Sequence, residues 1–147
     1  MSAIPEWWRV GLAIGWVVGA FGCARPYPVY DGPTRPDSEL AFFDAAEPCK
    51  VLKIDGREVP HLENWFALEP GKHWVMFRVR RQFRNEQAST NCLAYLDMQA
   101  GHTYTVQSRF DKKFSEHRES DIFFQVTLMV DLLNTTTGEI IEDVVCE

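Results

Sequence analysis

The chain has 147 residues, with 15 Lys and Arg against 21 Asp and Glu, a net charge of −6 with histidine neutral. Cations scattered through an acidic chain make nucleic acid a poor partner, because phosphate affinity needs clustered Lys and Arg. Aromatic residues make up 13% and β-branched residues crowd the second half, so strands are favoured over helices.

The amino-terminal stretch Met1–Arg9 is weakly positive, and Val10 to Gly22 is an uninterrupted apolar run of 13 residues. As a helix it spans about 20 Å, short of the ~30 Å hydrocarbon core, so it reads as a signal-peptide core rather than a transmembrane anchor. The run closes on Ala20-Phe21-Gly22-Cys23, which resembles the lipobox at which bacterial lipoproteins are diacylated and cleaved. This chain has Ala20 where the family prefers Leu, and Phe21 where it prefers a small residue. The resemblance implies a signal peptide over 1–22, lipidation of Cys23 and attachment to a membrane. Ala24 in place of Asp implies the outer membrane, with the domain in the periplasm. Cleavage without lipid, leaving Cys23 as a free thiol, and an uncleaved anchor are the alternatives. Removing residues 1–22 leaves 125, one domain with room for a real core.

Residues 23–38 carry four prolines between Ala24 and Ser38. That density disfavours helix and sheet pairing and predicts an extended tether at ~3.1 Å per residue. Tyr27 and Tyr30 read better as aromatics resting on the domain than as a recognition motif. The domain proper is expected over 39–147. Strands are predicted at Leu40–Phe43, Cys49–Ile54, Arg57–Val59 and Trp65–Leu68. The turns between them are Asp55-Gly56, which suits positive φ at both positions, and Glu69-Pro70-Gly71-Lys72. From His73 to Arg81 the residues alternate, with His73, Val75, Phe77 and Val79 on one face and Trp74, Met76, Arg78 and Arg80 on the other. Arg84–Thr90 reads as a polar loop, Cys92–Met98 as a strand, Ala100-Gly101 as a turn and His102–Phe110 as a strand. Asp111–Asp121 reads as a charged loop. Ile122–Leu132 then alternates, placing Ile122, Phe124, Val126, Leu128, Val130 and Leu132 inward, and Glu139–Val145 closes the chain after a turn at Asn134–Gly138. Seven or eight short strands without helical periodicity predict an all-β, antiparallel β-sandwich.

The hairpin Ile54-Asp55-Gly56, followed by Pro70-Gly71-Lys72-His73 and an alternating strand, resembles the PEGA-type surface β-domain. With Cys23, the Tyr-Pro tether and Ala100-Gly101-His102-Thr103-Tyr104, the chain is similar to small proteobacterial envelope lipoproteins. The segment Pro60–Phe66 between the two hairpins is longer than in that family. The resemblance implies an immunoglobulin-like sandwich, and it carries no catalytic residues.

Chemistry-bearing constellations are sparse. His61, His73, His102 and His117 have no metal-ligand spacing, so no metal and no cofactor is expected, and His102 reads as a packing or turn residue. No nucleophile elbow or phosphate loop occurs, and the carboxylates Asp97, Asp111, Glu116, Glu119 and Asp121 read as solvated. A non-enzymatic structural or protein-interaction role in the envelope is therefore the first expectation. An interaction surface at Trp65, Trp74 and Met76 is the candidate site, against burial under a sheet or loop. Its alternative use is a periplasmic carrier of a small apolar or peptidic ligand near Trp65 and Trp74. A third possibility is an envelope protein partner that pairs along a sheet edge. With Cys23 modified, Cys49, Cys92 and Cys146 remain, and an oxidising compartment predicts one disulfide. Strand reversal counted from Cys92 returns Cys146 to the same end of the sandwich and favours Cys92–Cys146 over Cys49–Cys146.

Overall fold

The computed structural model describes residues 24–115 and 123–147. Its strands are β1 Tyr27–Pro28, β2 Ala41–Asp44, β3 Cys49–Ile54, β4 Arg57–Glu58, β5 Trp65–Leu68 and β6 Gly71–Phe83. They continue with β7 Glu86–Met98, β8 Thr103–Ser115, β9 Phe123–Asn134, β10 Ile140–Ile141 and β11 Val144–Cys146. One sheet has the order β1-β5-β2-β8-β9-β10 and the other β4-β3-β6-β7-β11. The expected all-β sandwich is what the chain forms. Signal segment and Cys23 lie outside the described residues.

The core follows from period-two alternation. Val75, Phe77 and Val79 of β6 and Cys92, Ala94, Leu96 and Met98 of β7 point to the other sheet. There they meet Ala41, Phe43, Phe66, Leu68, Tyr104 and Leu132 in one buried cluster. On β3 the strict alternation would send Ile54 outward, but the register with β6 shifts between Val51 and Lys53. This bulge lets Val51 and Ile54 both face the core. Asp55 and Gly56, at φ 50° and 81°, make the turn predicted for them.

Eleven strands form among the described residues where seven or eight were expected, and four of them are 12 or 13 residues long. Arg84–Thr90 is not a loop. The β6–β7 ladder runs without a break from Gly71↔Met98 to Phe83↔Glu86, and only Arg84 and Asn85 turn. Likewise β8 continues through Asp111 to Ser115, paired with β9 as far as Phe123. In a hairpin the backbone finds its partners across the ladder whatever the side chains are. Residues 116–121 of the expected charged loop lie outside the described residues. The expected closing strand Glu139–Val145 is split, β10 pairing with β9 in the first sheet and β11 with β7 in the second.

The disulfide joins Cys92 and Cys146, with their Cα atoms 4.0 Å apart. Next to it Asn91 and Glu147 exchange both backbone bonds, at 3.1 and 2.9 Å. The cysteines therefore form the close, non-hydrogen-bonded kind of pair, in which side chains approach. Cys92 sits mid-strand rather than at a strand opening, so the predicted pair forms between neighbouring strands of one sheet. Cys49 is free and buried.

Residues 24–38 are not a spacer. Tyr27 and Pro28 pair in parallel with Phe66 and Ala67 at the edge of the first sheet, and Val29 N–H donates to the Ala67 carbonyl at 2.9 Å. Proline is tolerated because an edge strand needs ladder bonds on one side only. Tyr27 rests edge-on against Phe66 at 6.2 Å, as expected of an aromatic lying on the domain.

Candidate functional site

The two ends of the sandwich differ in construction. β7 ends at Met98 and β8 starts at Thr103, so the two long hairpins leave from one end and turn at the other. At the near end, short segments are latched together. Asp55 Oδ1 accepts the Trp74 N–H at 2.9 Å, and its Oδ2 lies 2.5 Å from His73 Nδ1. His73 Nε2 reaches the Glu69 carbonyl at 2.6 Å. The strap after β1 is tied in by Arg35–Glu69 at 2.8 Å and Arg57–Asp31 at 2.9 Å. The Arg57 guanidinium, bonded to Asp31, holds that carboxyl below its usual range, and Asp31 raises Arg57 in turn. On the same end Asn134, itself buried, donates to His102 Nδ1 at 3.0 Å and takes the Thr136 N–H on its Oδ1 at 3.0 Å. His102 is thus a turn residue.

At the far end the flanking strands stop and the hairpins do not. β3 accompanies β6 as far as Cys49↔Val79, β2 accompanies β8 as far as Asp44↔Thr105, and β10 meets β9 only at Leu132 and Leu133. Residues 80–90 and residues 106–115 with 123–131 therefore continue as two β-ribbons. Arg81 ties them together: its guanidinium donates to the Ser108 carbonyl at 2.6 Å and lies 5.0 Å over the Phe110 ring. Val106, Leu128 and Val130 pack against the core beneath it. Beside the free edge of β8 runs an open groove of about 750 Å³, whose walls include Glu47, Arg80, Arg81, Arg109 and Asp131. With the connecting residues 116–122 included, residues 80–90 and 106–131 carry seven Lys and Arg against six Asp and Glu, within a chain whose net charge is −6.

The predicted apolar surface does not form as one surface. Phe66 and Leu68 face the core, so Trp65 faces outward on the first sheet, 6.0 Å from the Phe42 ring. Trp74 and Met76 alternate with buried Val75 and Phe77 and face outward on the second sheet. Trp74 lies over the hairpin turn, its ring 3.6 Å from the position a Gly56 Cβ would take. All three are partly buried, and the sandwich separates Trp65 from the other two. Residue-by-residue reading missed Arg81, although continuing the alternation from Val79 puts a charge on the inward face, and that parity is the available signal. Tyr30, Arg35 and Glu69 had none, because the strap folds back across sequence-distant turns.

Burial, with a smaller effect from Glu47, pushes the Cys49 thiol up to about 12, leaving it a poor nucleophile. Among the described residues no group of three or more His, Cys, Asp or Glu is placed to hold a metal ion, and no helix is long and apolar enough to cross a membrane. Comparison with family models, curated proteins and solved structures returns no match for this chain.

Proposed function

We propose that this chain is a lipid-anchored, non-enzymatic β-domain of the cell envelope, held at the outer membrane with its sandwich in the periplasm and acting as a structural or protein-interaction component. The observation that carries the reading is the lipobox-like Ala20-Phe21-Gly22-Cys23 placed immediately before the fold. Only Ala24, Arg25 and Pro26 separate Cys23 from β1. Four residue steps reach at most ~14 Å, so lipid on Cys23 would hold the domain against the membrane. The test is metabolic labelling with a fatty-acid analogue, comparing wild type with Cys23→Ala. Label and membrane fractionation are expected in the wild type and lost in the variant. An unlabelled, soluble wild type rejects the anchor.

The carrier alternative asks Trp65 and Trp74 to share a pocket. They stand on opposite outer faces, so no observation favours it.

A further inference from the structure

We infer that the outer face of the second sheet is a docking surface for a second copy of this chain. The inference names a partner for the proposed interaction role and rests on that reading only in taking the domain to act through protein contact. It is independent of lipid on Cys23.

Alternation sends Val75, Phe77 and Val79 of β6 and Ala94 and Leu96 of β7 into the core, so the residues between them form the opposite face. Register lays these out in rows across the sheet. Trp74 stands beside Tyr95, and Met76 beside Leu93 with Val145 beyond it. Trp74, Met76 and Leu93 are partly buried, while Tyr95 is 57% and Val145 64% exposed. A sheet face that meets water is normally polar, and a contiguous apolar patch on one marks a contact surface.

The charges at the margins select a second copy as the occupant. On the β3 side Lys53 pairs in register with Met76, and Lys50 with Arg78. On the β11 side Val145 lies between Asp143, whose carbonyl accepts the Tyr95 N–H at 3.1 Å, and Glu147, which exchanges backbone bonds with Asn91. Strand parity turns both carboxylates to the face that carries Val145. The patch is thus basic along one margin and acidic along the other. Consider two copies stacked face to face about a two-fold axis that lies in the plane of the patch, parallel to the strands and between β6 and β7. Such an axis exchanges the margins. Met76 meets Leu93 of the second copy, Trp74 meets Tyr95 of the second copy, and Lys50 meets Glu147 of the second copy, each contact occurring twice. Lys72 and Asp97, paired at the end of the same face, exchange places in the same way. Glu58 of β4, opposite Lys53, lies one strand further out, past β11 of the second copy. An axis across the strands would instead set β3 on β3 and β11 on β11, like charge on like. Aligned sheets pack ~10 Å apart at about −30°, and the long side chains of Lys50 and Glu147 span the displacement this causes at the margin. Three rows over four strands, at ~6.7 by ~4.8 Å per outward residue, cover roughly 400 Å² in projection. That is small for a permanent dimer, so the association is reversible.

The test uses the protein beginning at Ala24, which keeps every strand pairing and the disulfide. It lacks Cys23, so a failure here leaves the lipid-anchor experiment untouched. Sedimentation velocity from micromolar to near-millimolar concentration should show a reversible monomer–dimer equilibrium. Tyr95→Ala, at an exposed position, should weaken it at least ~10-fold. Lys50→Glu alone and Glu147→Lys alone should each weaken it about 10-fold, because two symmetry-related pairs turn repulsive. The double variant Lys50→Glu/Glu147→Lys should recover most of the wild-type affinity. Within one copy these residues stand three strand spacings apart, ~14 Å, so an internal pair cannot account for the recovery. Circular dichroism and an unreactive Cys49 thiol establish that each variant is folded. A protein monomeric at every concentration overturns the inference in favour of a different protein as the occupant. A dimer indifferent to Tyr95→Ala overturns it in favour of contact elsewhere, such as the free edge of β8. A double variant no tighter than the single ones overturns it as well.

Discussion

One end of this sandwich is tied down by many short segments, and the other is built from two long hairpins that outlast their neighbours. At the latched end, Asp55 alone fixes a hairpin turn, the start of β6 and the His73 ring, and salt bridges add the strap. At the ribbon end Arg81 bridges the two sheets. Local contact density sets local stability. The two ends thus differ in how many separate segments meet there.

The largest expected effect comes from the disulfide, which anchors β11 to β7 near the level where the ribbons begin. Its ends are 54 residues apart, and on the chain-entropy model opening such a loop costs ~4 kcal/mol. The Cys92→Ala/Cys146→Ala variant should show that loss in its urea midpoint, and reductant should leave the variant unchanged.

Next comes the alkaline limb of stability. A thiol held at about 12 in the fold ionises near 8.5 when unfolded. Between those values the folded state binds more protons. Stability from the neutral Cys49 is thus complete below the ordinary thiol range and falls as pH rises toward 12, by a few kcal/mol at most. Urea titrations from pH 8 upward should show a shallower decline in Cys49→Ala than in wild type.

Asp55→Ala should cost about 2 kcal/mol, since it orphans the Trp74 N–H and one nitrogen of His73. Asp55→Asn, which keeps an acceptor and suits positive φ, should recover about half of that. At the other end Arg81→Ala should cost ~1 kcal/mol. Its distinctive signature is faster amide exchange over 106–110 with unchanged exchange over 75–79, which would show that the ribbons are held separately from the core. The smallest effect belongs to Arg57→Ala: the Arg57–Asp31 pair is solvent-exposed, so the urea midpoint should not move.

Much of this was legible along the chain. β3, β5, the Asp55-Gly56 turn and the inward set Val75, Phe77 and Val79 follow from alternation and turn chemistry, which are local properties. The Cys92–Cys146 pair also emerged, because counting strand reversals is a coarse topological argument that survives errors in strand length. Residues 84–90 and 111–115 were misjudged for one reason: a polar sequence is read as loop, whereas hairpin pairing uses backbone groups that polar residues carry like any others. The candidate site failed differently. Trp65, Trp74 and Met76 are each outward-facing as alternation requires, but which outer face each takes depends on the sheet to which its strand belongs.

Sheet membership is where sequence and tertiary structure part. The sequence by itself determined the all-β class, the turns at Asp55-Gly56 and Ala100-Gly101, and the parity of β6, because these rest on φ preferences and on a period of two. Only the tertiary structure decided that β10 and β11 part to different sheets, that Tyr27–Pro28 seals an edge, and that the ribbons point to the side from which the chain enters. Those outcomes depend on long-range backbone pairing, and the groups that pair are the N–H and C=O that nearly every residue has in common.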